Sequence, residues 1–401
     1  MRILHCTDTY PPQVNGVSVV TALAVDGLLQ RGVEVALVAP RYPRTAPMVF
    51  GASRTPSAQL SLPACDFPPY PGLRLALPQP QVVERFARDF QPDLVHADTE
   101  FVVGRLGARA ARRLGVPLVT SFHTDFAQYT ESYGVPWLRG PVTRSLQRFH
   151  RSAARIYTPS SVTAGWLQAH GLPHAEVWGR AVDVNVFHPE RRSPTWRQQL
   201  KLGNAVVFLH VGRLAAEKNV DLLLQGFAVA RERLGDRAQL VIAGDGPSTR
   251  ALRDAAPPGT HFVGFIDRER DLPALYASAD AFLCASMTET LGLVILEAMA
   301  SGLPVGAVAA GGVADHLRHE ENGLAFAPNA TAVADTIVRL TADAELRRRL
   351  GTGARAWAEA IRWDRELDRL VESYDEVIGS AGGGAPVTNG LHATTQLSPW
   401  L

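Results

Sequence analysis

Lysine is nearly absent from this 401-residue chain, with Lys201 and Lys218 the only two among 40 basic residues. Three cysteines, Cys6, Cys65 and Cys284, stand too far apart for a disulfide framework or a zinc cage. They fit free thiols in a reducing compartment. No run of about 18 apolar residues exists, which argues against a membrane-spanning helix. The nearest candidate, Ala298–Ala310, is interrupted by Gly302, Pro304 and Gly306. The N-terminus is polar by His5 and lacks the apolar core of a signal peptide. Asp-x-Asp occurs nowhere, and no His, Cys or carboxylate set has metal-ligand spacing. No metal and no cofactor are therefore expected. A net charge of +1 argues against a nucleic-acid binder.

What is present reads as a globular chain of two domains: 46% of residues are hydrophobic and 20% charged. The small net charge hides an asymmetry. Residues 1–180 carry +6, all of the positive charge from arginine, and residues 181–401 carry −5. A basic and an acidic half suggest different partners. In the first half, strand patterns at Arg2–Thr7, Glu34–Ala39, Asp93–His96, Val116–Ser121, Arg155–Thr158 and Glu176–Trp178 mostly alternate with helical ones, the first near Val17–Arg31. Residues 40–80 interrupt this with ten of the 28 prolines, a stretch that is functional or hides short strands. The pattern restarts with strands at Ala205–Val211, Gln239–Ala243, His261–Val263 and Ala281–Cys284. Helices are expected at Val220–Leu234 and Leu291–Ala300, and helix alone from about 330 to Ile378. The fold class is therefore α/β, with two Rossmann-like domains. They span 1–180 and 181–362, the connection falling near Gly179–Pro189. A terminal helix at 363–379 and a Gly/Ala/Thr-rich, disordered tail at 380–401 follow. Two facing sheets of this kind hold ligands in the cleft at their carboxyl ends.

Four segments carry chemistry. Tyr10-Pro-Pro-Gln-Val-Asn15-Gly16 follows the first strand, and a glycine before a helix lets a ligand approach backbone and free N–H groups. It is neither a dinucleotide fingerprint nor a Walker loop, and a plain tight turn explains it equally well. Val211-Gly-Arg213-Leu-Ala-Ala-Glu-Lys218 places a planar fork and a point charge after a strand, a pairing suited to a diphosphate. The alternative is a solvated loop in which Glu217 pairs with either cation. Glu289-Thr-Leu291-Gly292-Leu293-Val-Ile-Leu-Glu297 sets two carboxylates eight apart around a glycine at a helix start. Its amides would meet an anion and Glu297 would reach ligand hydroxyls. Neither glutamate has a basic partner nearby in sequence; the bland reading is a dipole-complementing Glu289 and an exposed Glu297. Finally, Ser121-Phe-His123-Thr-Asp125 ends a strand, which turns an otherwise ordinary histidine toward the cleft, while Asp125 equally suits an N-cap.

Taken in order with Gly244-Asp-Gly-Pro247 and Phe262-Val-Gly-Phe265, these segments resemble retaining glycosyltransferases of the GT-B fold, family GT4, over about residues 1–378. Ser-Phe-His-Thr and Trp178-Gly-Arg…Val-Asp…Phe-His-Pro resemble bacterial α-mannosyltransferases and diacylglycerol glycolipid or sulfolipid synthases in particular. Leu291 stands where many members have Phe, and Ala181 where many have Gly. The resemblance implies that Arg213 and Lys218 hold a donor diphosphate and that Glu297 binds ribose. It implies that Glu289 with the Leu291–Leu293 backbone holds sugar and phosphate. Gly244 and the Phe265–Ile266 segment belong to the donor side, the latter meeting the base. Gly16 and His123 would face the reacting centre from the first domain, with Tyr10, Asn15 and Asp125 beside the acceptor. It further implies hexose transfer with retention of the α-linkage, without metal and without a protein nucleophile.

The acceptor is read from Arg139–Arg155, where five arginines interleave with Val142, Leu146, Phe149 and Ala153. Such a helix can lie on an anionic membrane, and a solvated helix face explains it equally well; taken with the resemblance, it favours a lipid acceptor and a cytoplasmic, peripheral location. A soluble or polysaccharide acceptor, a sugar-nucleotide 2-epimerase and a non-catalytic nucleotide-sugar-binding protein are the alternatives.

Overall fold

The computed structural model describes residues 1–13, 15–43, 55–66, 74–123, 130 and 134–382. Among these, the first half builds a seven-stranded sheet in the order β3-β2-β1-β6-β7-β8-β9. Its strands are β1 Arg2–Cys6, β2 Glu34–Pro40, β3 Ala58–Leu62, β6 Leu94–Ala97, β7 Leu118–Ser121, β8 Arg155–Thr158 and β9 Ala175–Val177. All the pairings are parallel. The central strands are buried along their length, which is why they read as apolar runs rather than alternations. The proline-rich stretch contains β3 and a small antiparallel pair, β4 Ala64–Asp66 with β5 Arg74–Ala76.

The second half forms a six-stranded parallel sheet, order β12-β11-β10-β13-β14-β15. Its strands are β10 Val206–Val211, β11 Ala238–Ala243, β12 Thr260–Gly264, β13 Ala281–Cys284, β14 Val305–Ala307 and β15 Gly323–Ala325. The three-residue strands β14 and β15 are too short to show a period, and sequence reading misses them. In both sheets the chain order reverses once, between β1 and β6 and between β10 and β13. These are the switch points at which such sheets leave a crevice.

The last helix, Trp363–Gly382, runs three residues beyond the 379 expected from sequence. The rest of the tail, 383–401, lies outside the described residues. This helix packs on the first sheet. Arg31 Nε meets Asp368 at 2.8 Å, Tyr157 Oη meets Ser373 Oγ at 2.6 Å, and His96 Nδ1 meets Tyr374 Oη at 2.5 Å. Trp178 Nε1 donates to the Glu366 carbonyl at 2.7 Å where the chain leaves the first sheet. No helix among the described residues is long and apolar enough to cross a membrane.

Candidate active site

A cleft of about 850 Å³ separates the carboxyl ends of the two sheets. Its first lip is made by residues just past β1 (Asp8, Thr9), β6 (Thr99) and β7 (His123), and by the start of the helix Gly16–Gln30. Its second lip is made by residues just past β10 (Gly212, Arg213), β11 (Gly244), β12 (Phe265, Ile266) and β13 (Glu289). Asn15, Gly16, His123, Arg213, Lys218, Gly244, Phe265, Ile266, Glu289, Leu291, Gly292, Leu293 and Glu297 all line it. Tyr10 does not: it packs against the core, where burial raises its hydroxyl to about 12. Asp125 lies outside the described residues.

On the second lip the carboxylates that lacked sequence neighbours acquire partners through the fold. Lys218 Nζ donates to Glu289 Oε1 at 2.6 Å, across 71 residues. Burial opposes the ionised Glu289, but the Lys218 charge and hydrogen bond outweigh it and hold the carboxyl below its usual range. Glu297 is 2% exposed, not a solvated helix face. Arg268 Nη2 and Nε donate to its Oε1 at 2.6 and 3.0 Å, and Tyr276 Oη donates to its Oε2 at 3.2 Å. The Arg268 guanidinium also covers the Phe187 ring at 5.1 Å. Arg268 and Tyr276 escaped sequence reading because nothing local marks them; their position, 29 and 21 residues before Glu297, becomes meaningful only after folding.

Backbone geometry supplies the rest of this lip. Gly292, at φ 73°, caps the helix Leu293–Ala300, so the free amides at Leu293 and beyond open to the cleft. Gly244, at φ 130°, brings two loops together so closely that a Cβ there would lie 1.8 Å from the Gly212 carbonyl oxygen. Phe265 stands 62% exposed at the rim, an aromatic face with no protein cover.

The first lip is built differently. Asn15 Oδ1 accepts from Ser18 N at 2.9 Å while Ser18 Oγ accepts from Asn15 N at 3.1 Å, a reciprocal cap on the helix Gly16–Gln30. A Cβ at Gly16 would meet nothing within 4 Å, so the space above that helix start is open to a ligand. Asp8, unremarked in the sequence, spans the switch point. It accepts from Val103 N at 2.8 Å and from Thr99 Oγ1 at 2.7 Å, capping the helix Val102–Leu114. Burial nevertheless raises its pKa. Among the described residues the buried His123 Nε2 has no hydrogen-bond partner, and burial lowers the pKa of the ring.

Beneath this lip, β1 and β6 place His5, His96 and Asp98 with ligand atoms within 4.8 Å, a set that sequence spacing does not suggest. His5 Nδ1 meets Asp98 Oδ2 at 2.9 Å and His96 Nε2 meets Ser121 Oγ at 2.7 Å. Burial pushes His96 down to about 3. With Tyr374 on its other nitrogen, His96 is fully used by protein groups.

The basic segment needs correcting. Its helix is Arg139–His150, and Arg155 belongs to β8, where it binds Ser373 at 2.7 Å and Glu376 at 2.9 Å. Arg139, Arg144 and Arg148 are exposed, and Arg105 of the helix Val102–Leu114 reaches this helix through Ser145 Oγ at 2.9 Å. Trp137, 70% exposed, and Leu138, 42% exposed, precede them.

Facing parallel sheets that open such a cleft, with a helix start on each lip, are the GT-B architecture of glycosyltransferases. Residues 14–186 match the model of Glycosyltransferase Family 4 and residues 192–357 that of Glycosyl transferases group 1. The chain is 35% identical over 383 residues to the GDP-mannose-dependent alpha-mannosyltransferase of Mycolicibacterium smegmatis, covering 94% of this chain and 98% of that protein. It is 34% identical over 318 residues to the sulfoquinovosyl transferase SQD2 of Arabidopsis thaliana, covering 76% of this chain and 61% of that protein. Its fold matches the crystal structure of Anabaena HepE with UDP-glucose at a TM-score of 0.76 and 20% identity, covering 94% and 100% of the two chains. The chain belongs to glycosyltransferase family 4 and is a hexosyltransferase.

Proposed function

We propose that this enzyme moves a hexose from a nucleotide-diphosphate sugar, GDP-mannose first and a UDP-hexose second, onto a lipid acceptor such as a (glycosyl)diacylglycerol, with retention of the α-linkage. The observation that carries the donor side is the Lys218–Glu289 ion pair beside the capped helix start at Gly292–Leu293. Glu289 holds the Lys218 ammonium on the cleft wall, where its charge meets the phosphate oxygens. Arg213 and the amides at Leu293 add to that charge, so the diphosphate is neutralised without a metal ion. Glu297, fixed by Arg268 and Tyr276, presents its remaining lone pairs to ribose hydroxyls. Phe265 offers a face to the base.

The acceptor hydroxyl enters from the His123 side. Its oxygen bonds to the sugar's anomeric carbon as the carbon–oxygen bond to the leaving phosphate breaks. The proton passes to that phosphate on the same face, and no protein nucleophile is required. The similarity to GDP-mannose-dependent relatives over nearly the whole chain supports the first donor. The lipid acceptor rests on the arginine face of residues 139–148 with Trp137 and Leu138 at its edge, an apolar tip within a cationic field.

The test is a thermal-shift panel of GDP, UDP, ADP and their sugars without metal, followed by transfer assays with and without EDTA. A ligand held by the folded state raises the melting temperature by mass action. A shift with GDP-mannose and EDTA-insensitive mannosylation of diacylglycerol-type lipid in anionic vesicles is expected. No shift with any nucleotide refutes the donor site. Transfer to a water-soluble sugar but to no lipid refutes the acceptor.

A further inference from the structure

The two lips of the cleft touch at the reacting centre through a side chain to which no role has been given. Thr290 Oγ1 donates a hydrogen bond to the main-chain carbonyl of His123, across 167 residues. The donor sits in the loop after β13, between Glu289 and Leu291; the acceptor ends β7 in the other half. Thr290 is not held there by side-chain packing alone. Its loop is braced from behind by a glycine pair: Gly312 N donates to the Glu289 carbonyl at 2.6 Å. A Cβ at Gly311 would lie 2.4 Å from the Glu289 carbonyl oxygen, and one at Gly312 would lie 2.1 Å from that of Thr290. The backbone of residues 289–290 therefore cannot retreat, and the Thr290 hydroxyl is its forward contact.

The partner is placed with equal economy. The His123 carbonyl and the His123 ring share one backbone unit, and the ring carries a buried Nε2 with no partner among the described residues. Fixing the carbonyl fixes the backbone from which that ring extends. A second clasp holds the same two halves in register further out. Asp315 Oδ2 accepts from Ser161 N at 2.7 Å and meets Arg180 Nη2 at 3.1 Å.

We infer that Thr290 is a positioning residue for transfer: its hydroxyl registers the Glu289–Gly292 loop against His123 once the halves close. This rests on reading the cleft as the transfer site. The proposed donor contacts of Lys218, Glu289, Glu297 and Phe265 lie on the second lip, so the bond governs the chemical step more than donor affinity. A group that aligns reacting partners acts chiefly on kcat, and misplacement by about 1 Å can cost on the order of 100-fold.

The experiment compares full-length wild type, Thr290→Val and Thr290→Ser, using the donor that stabilises the wild type in the thermal panel. Valine keeps the shape and removes the hydroxyl; serine restores it. The expected result is a fall in kcat of about 10- to 100-fold for Thr290→Val, a donor Kd by calorimetry within about two-fold, and near wild-type turnover for Thr290→Ser. Melting temperatures establish that each variant is folded, with Thr290→Ala replacing valine should that variant unfold. A hydroxyl-free variant with wild-type kcat, or a donor Kd that worsens in step with kcat, overturns the inference. So does a serine variant as slow as valine. A wild type that transfers no sugar overturns the reading of the cleft itself, which separates the two failures.

Discussion

The two lips of the cleft solve the same topological problem with opposite chemistry. Both sit at a switch point of a parallel sheet, yet the second carries two desolvated ion pairs, Lys218–Glu289 and Arg268–Glu297. The first presents hydroxyls, helix caps, the His123 ring and one carboxylate, Asp8, held by backbone amides and Thr99. The difference follows the ligands proposed for each. A diphosphate needs fixed cations and anchored carboxylates before it arrives, and a neutral hydroxyl needs only orientation. Charge on the second lip is also insulated, since each carboxylate already has a protein cation and tolerates the low dielectric of a closed cleft.

The comparison breaks most readily at Lys218 and Glu289. Either Lys218→Ala or Glu289→Ala should reduce transfer by at least about 100- to 1,000-fold, the range for losing a fixed charge at a reacting centre. Circular dichroism melts should show both folded, and two variants with wild-type rates would remove the assignment. Next comes Arg268→Ala, which strands the buried Glu297 carboxylate. It should raise donor KM and cost about 3 kcal/mol of stability, the lower end for breaking a buried pair. Adding Glu297→Gln should recover stability but not donor binding, a separation readable by denaturant titration beside kinetics.

On the other side Tyr374→Phe removes the hydroxyl from His96 Nδ1. It should lower stability by about 1–2 kcal/mol while transfer stays within a few-fold. In the second half the expected effect is a pH slope. Burial holds His210 and His316 down near about 4, whereas an unfolded chain protonates histidine near about 6.5. The unfolded state therefore binds more protons between those values. Their contribution to stability is complete above about pH 6.5 and is lost as pH falls toward 4. Thermal melts across that interval should decline steadily; a flat profile would mean these rings are not held neutral.

The strands of both sheets were legible wherever a buried run stood alone. Arg155–Thr158 and Ala281–Cys284, and the helix Val220–Leu234, fall at the residues that periodicity indicates. The three-residue strands β14 and β15, and the pair hidden among prolines, carry too little pattern. In the site, residues with a local signature were visible: the glycine before a helix, the histidine at a strand end, the two glutamates eight apart. Asp8, Arg268, Tyr276 and Thr290 were not, because each acts on a partner far away in the chain. The arginine run misled for the opposite reason. Arg155 shares the spacing of its neighbours, but its charge is spent on Ser373 and Glu376.

The helix Trp363–Gly382 has a consequence for how the protein is made. Tyr374 lies 3.5 Å from His5, a residue 369 positions earlier. A ribosome releases β1 long before the group that covers its histidine. Through that interval the face of the first sheet holding His96, Tyr157 and Trp178 lacks its cover. Shortening the chain before Trp363 would make that exposure permanent, so the first half, although it has its own sheet and core, completes its surface only with the last helix.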